Sequence, residues 1–141
     1  MTICREEEFG NVDQYLTAIR AALKVCSVRQ SQLLWCHLQA KGHKTTWSTL
    51  ATRVGYSNFN TVNLQYGKLA SNIGKHLGIS TKPRDRNGNV WWLTILIWWD
   101  NDRTQDLHTE FLLRQPVVEA LKRLKKEEQL WLPKGLNERG V

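Results

Sequence analysis

A mainly α fold with a small antiparallel β-sheet (α+β) is predicted by three features of the sequence. Apolar residues recur at helical spacing from Val12 to Leu77. One aromatic and β-branched run, Val90 to Trp99, has the composition of a strand buried on both faces. Pro116 to Leu124 then returns to a helical pattern after a polar turn. At 141 residues the chain suits one compact domain, 1–141, and a second core would be undersized.

Within that domain, 11–78 is the helical region. Asn11 caps a first helix whose Val12, Tyr15, Leu16, Ile19, Ala22, Leu23 and Cys26 share a face. Ser27 and Gln30 have capping-box spacing and open a second helix, which Gly42 stops. Its Val28, Leu33, Leu34, Trp35, Leu38 and Ala40 take up most of its circumference, so this is the expected central helix. Residues 46–78 read as a helix-turn-helix. Ala51 is small enough for a helix crossing, Gly55 can end the third helix in the left-handed conformation, and Ser57 or Asn58 can cap the fourth. In the fourth helix Phe59, Val62, Tyr66, Leu69, Ile73 and Leu77 form one apolar stripe. Asn60, Leu64, Gly67, Lys68, Ser71 and Lys75 are left on the opposite side.

Residues 79–89 read as a basic loop and 90–113 as a β-hairpin, in which Leu107 to Leu113 is the expected partner of the Val90–Trp99 strand. Residues 114–141 hold a C-terminal helix, with Val117, Val118, Ala120, Leu121 and Leu124 apolar, and a tail. In a strand, Trp91 and Trp92 face opposite sides, as do Trp98 and Trp99. Both sheet faces then need cover, and either a homodimer or a C-terminal helix folded over the strand supplies it.

Helices, a helix-turn-helix and a two-stranded hairpin follow one another in the order of a winged helix, with an extra helix at each end. The runs Leu50-Ala51, Gly55-Tyr56-Ser57 and Asn63-Leu64-Gln65-Tyr66-Gly67, with the Trp-rich strand leading to Leu113-Arg114, resemble those of a group of small bacterial proteins of mostly unknown function. The resemblance spans about Val28 to Leu124 and is specific only at Asn63–Gly67. It implies a winged-helix-like fold and DNA transactions, alone or beside a restriction-type nuclease partner, and transfers no catalytic residue.

The formal net charge of +7 favours an acidic partner, and with the helix-turn-helix pattern this points to double-stranded DNA. Residues near the start of the fourth helix, Ser57, Asn58, Asn60 and Thr61, are placed to meet base edges, and asparagine can pair bidentately with adenine. Lys44, Arg53, Lys68 and Lys75 are expected on phosphates, and Arg84 and Arg86 reach out from the basic loop. One of Ser57 and Asn58 also serves as the cap, which is compatible with contacting DNA. The acidic hairpin tip, DNDRTQD, departs from the basic tip of a DNA-contacting wing. The protein then acts as a regulator or as a specificity module for a DNA-acting partner.

Two other readings compete. Leu64 and Gly67 on the fourth helix, with Trp92 and Trp98 in the sheet, are expected interface residues if the chain is a protein-interaction module. An aromatic pocket for a small molecule or a flipped base is a third reading, with Asp100, Asn101, Asp102 and His108 as its polar groups.

Catalytic and cofactor signatures are lacking. The four histidines are scattered, no phosphate-binding glycine loop appears, and His37 reads as a core residue with its hydrogen bonds met. Three cysteines without a CxxC pair argue against a structural zinc and for a reducing cytoplasm. The N-terminal MTICREEEFG lacks signal-peptide character, and Val90–Trp99 is too short to cross a bilayer as a helix.

Overall fold

The computed structural model describes residues 9–80, 82–84, 88–99 and 110–127. In chain order these form α1 (Val12–Leu23), α2 (Val28–Gln39), β1 (Lys44–Thr45), α3 (Trp47–Val54), α4 (Phe59–Leu77), β2 (Ile97–Trp99), β3 (Phe111–Leu113) and α5 (Gln115–Glu127). Single 3₁₀ turns lie at Lys41–His43 and Trp92–Ile95. The described part is therefore mainly helical with a small sheet, as the sequence predicts.

Local chemistry sets the helix starts. Asn11 and Ser27 both form complete capping boxes, with Gln14 and Gln30 reaching back to the cap backbone. Thr46 caps α3 through the Thr49 N–H, and Asn58 caps α4 through the Thr61 N–H. Gly55 and Gly78 close α3 and α4 in the left-handed conformation, at φ 90° and 76°.

The sheet has the order β1-β3-β2, antiparallel throughout. Lys44 pairs with Leu112 and Thr45 with Phe111 on one side of β3, while Ile97, Trp98 and Trp99 pair with Leu113, Leu112 and Phe111 on the other. One hydrophobic cluster joins the helices to the sheet, with Tyr15, Leu33, Trp35, Leu50, Tyr66, Ile73, Phe111 and Leu121 among its buried members. Inside it His37 bridges three elements. Its Nε2 donates to the Phe111 carbonyl at 2.9 Å, which leaves Nδ1 to accept from the Tyr66 hydroxyl at 2.8 Å. Burial drives the His37 pKa down to about 4, and burial also holds the Tyr66 phenol well above its usual range.

Several expectations are corrected. Val90–Trp99 is not one strand: Val90 makes an isolated bridge with Arg84, a 3₁₀ turn follows, and only Ile97–Trp99 joins the sheet. Leu93, Thr94, Ile95, Leu96 and Ile97 are all buried in succession. A strand would send them alternately to two faces, whereas the turn directs them into one core. Its freed carbonyls are met by buried donors: Tyr15 Oη donates to Ile95, and Arg114 Nε to Thr94 at 2.6 Å.

The Arg114 guanidinium itself lies over the rings of Phe9 and Trp98, 5.1 Å from each centroid. The expected partner strand is confined to Phe111–Leu113 among the described residues; 107–109 lie outside them. Strand β1 was not expected, since Lys44-Thr45 carries no strand pattern of its own and forms by pairing with β3. The C-terminal helix packs chiefly against α1 rather than over the Trp-rich strand. Val28 and Phe59, expected inside, are 52% and 36% exposed, because each is the first residue of its helix and stands at the surface end of the stripe.

Candidate nucleic-acid interface

The turn between α3 and α4 is held from both sides. The Ala51 carbonyl accepts from the N–H groups of Gly55 and Tyr56, each at 2.9 Å, and so closes α3. From α2, the Arg29 guanidinium stacks over the Tyr56 ring at 5.1 Å, and its Nη1 donates to the Gly55 carbonyl at 3.4 Å. On the far side of the turn, Asn58 Oδ1 accepts from both the Thr61 N–H at 2.9 Å and the Thr61 hydroxyl at 3.2 Å. The beginning of α4 is thereby fixed in direction, and its first turn carries no acidic side chain.

Helix α4 buries Val62, Tyr66, Leu69, Ala70, Ile73 and Gly74. Gly74 is needed there, because a Cβ would fall on Trp92 Cζ3 and within 2.8 Å of its Cε3. Two amides of α4 are held by neighbours: Gln65 Oε1 accepts from Gln30 Nε2 at 3.1 Å, and Asn63 Oδ1 from Trp91 Nε1 at 3.3 Å. The remaining face is open. Asn60, Lys68 and Lys75 are exposed, Leu64 is 56% exposed, and a Cβ on Gly67 would meet nothing within 4 Å. These side chains, with half-buried Ser71, follow one another every three or four residues and so share one side of the helix.

No known protein family, curated protein or solved structure matches the chain.

Of the expected DNA-contacting residues, the structure brings Asn60, Lys68 and Lys75 together on α4, with exposed Ser57 and Asn58 at its N-terminal end. Asn58 rather than Ser57 is the cap, so the Asn58 Oδ1 and the Thr61 hydroxyl are both committed to it. Lys44 and Arg53 are half-buried, on β1 and α3 rather than on α4. Arg84 is exposed, its Nη1 donates to the Gly88 carbonyl at 2.8 Å, and its backbone makes an isolated bridge with Val90. Arg86, Asp100, Asn101, Asp102 and His108 lie outside the described residues.

Of the expected interface residues, Leu64 and Gly67 are left uncovered by α5, which lies on α1. Trp92 packs on Gly74, and Trp98 lies against the Arg114 guanidinium, so both rings serve the chain's own packing. Phe59 is exposed although it belongs to the buried stripe of α4, not to the open face. Its place directly after the Asn58 cap was the available signal, since the first helical residue projects from the end of the bundle.

Proposed function

We propose that this chain binds double-stranded DNA by laying the open stripe of α4 in the major groove, as a winged-helix-like protein. The carrying observation is the joint exposure of Asn60, Leu64 and Lys68 on a helix whose opposite side buries Val62, Tyr66, Leu69 and Ile73 in the core. Topology supports it: β1 falls between α2 and α3, β2 and β3 follow α4, and the order β1-β3-β2 is what a winged helix requires. The charge of +7 supplies a sequence-independent attraction to phosphates, on which Lys68 and Lys75 act locally.

In this reading the protein is cytoplasmic and serves as a regulator or as the specificity module of a DNA-acting partner such as a nuclease. Among the described residues no helix is long and apolar enough to cross a membrane.

A mobility-shift titration on random duplex tests the proposal. Binding is expected at low salt and should weaken steeply as salt rises. Replacing Lys68 and Lys75 together with alanine should lower the log–log salt slope by about 2, one for each lost phosphate contact. Lys122→Ala with Lys126→Ala, on the exposed side of α5, is the control for charge alone and should leave most of that slope. No binding at low ionic strength, or equal losses from the two double variants, refutes the α4 interface.

A further inference from the structure

Resting on the duplex-binding reading, we propose that α4 selects thymine as well as adenine. Leu64 would pack on the C5-methyl group of a thymine, and Asn60 would pair with an adenine one or two base-pair steps away. Leu64 is the one large apolar side chain on the open stripe, 56% exposed between Asn60 and Lys68. A phosphate or a base-edge donor offers it nothing, since it can neither donate nor accept a hydrogen bond. The thymine methyl is the apolar feature that the major groove presents.

A protein partner fits the stripe poorly. Leu64 is flanked by an amide, an ammonium group and Gly67, with no apolar neighbour on the same side to build the desolvated centre an interface needs. Spacing agrees with the DNA assignment: residues four apart on a helix rise about 6 Å, close to two base-pair steps of about 3.4 Å. Gly67, with open space beyond its Cα, lets the helix sit deep enough for a side chain as short as leucine to arrive at the base edge.

The test compares a short alternating A·T duplex, the same duplex with uracil in place of every thymine, and a G·C duplex, each titrated by fluorescence anisotropy at fixed low salt. The wild-type chain should bind the thymine duplex about fourfold more tightly than the uracil duplex for each methyl covered. Leu64→Ala, at an exposed position that leaves the fold intact by circular dichroism, should bind the two alike. Asn60→Ala should keep the thymine preference over uracil and lose only the adenine-dependent part of its preference for A·T over G·C. Equal wild-type affinity for thymine and uracil duplexes, with salt-dependent binding to both, overturns the methyl contact and leaves DNA binding standing. A preference that survives Leu64→Ala overturns it too. Failure to bind any of the three duplexes removes the DNA reading itself, and this inference with it.

Discussion

Acid should weaken this protein through one side chain, and the size of the effect follows from where His37 sits. Its ring is fully buried, donates from Nε2 to Phe111 and accepts at Nδ1 from Tyr66, so the folded chain holds it neutral down to about pH 4. In the unfolded chain the same imidazole takes up a proton near pH 6.5. Between those values the unfolded state binds a proton that the folded state refuses, so stability falls as pH drops from 6.5 and the loss levels off below 4. At about 1.4 kcal/mol for each pH unit, the full loss is about 3 kcal/mol, a large share of the roughly 5–15 kcal/mol typical of a folded domain.

Urea unfolding of wild type and His37→Gln across this range isolates the contribution, because the other three histidines are common to both chains. The variant should start less stable at neutral pH and lose about 3 kcal/mol less on acidification. A proton NMR titration of the folded wild type gives a direct reading. His37 resonances that titrate near pH 6.5 in the folded protein, or a variant with the full wild-type acid slope, would refute the reasoning.

Two further outcomes concern α4. Gly67→Ala should raise stability by about 0.5–1 kcal/mol, since alanine favours the helix and the site is open. Gly74→Ala should lower it by about 1–3 kcal/mol, because the new methyl collides with Trp92; thermal melts moving in the same direction for the two variants would contradict the packing described. Asn58→Ala should cost about 1 kcal/mol of stability while Ser57→Ala costs little, and chemical denaturation giving the reverse order would assign the cap to Ser57.

The helices were legible because their signals are local. Asn11, Ser27, Gly55, Asn58 and Gly78 act within a few residues of themselves, and they stand where the spacing places them. The sheet was legible only in part. A run as apolar as Leu93–Ile97 is buried in either conformation, and what turns it is non-local: the Gly74 surface that receives Trp92, and the donors Tyr15 and Arg114 that meet its carbonyls. Strand β1 is likewise invisible until β3 pairs with it. On the candidate site, the open side of α4 followed from periodicity, whereas the commitment of Asn63 and Gln65 to Trp91 and Gln30 required knowing which elements face α4.

The His37 bridge also bears on the stiffness of α4. Residue 37 touches position 66 on α4 and position 111 on β3, so an imidazole from the first third of the chain locks a helix to a strand that is formed only much later in the sequence. With Trp92 seated on Gly74 two turns further along α4, the helix is held at two heights, which limits its freedom to tilt or slide. A surface held in this way cannot adapt its shape. On the proposed duplex-binding reading, the DNA would have to do the bending, and steps that deform easily would be favoured even at base pairs that no side chain reaches.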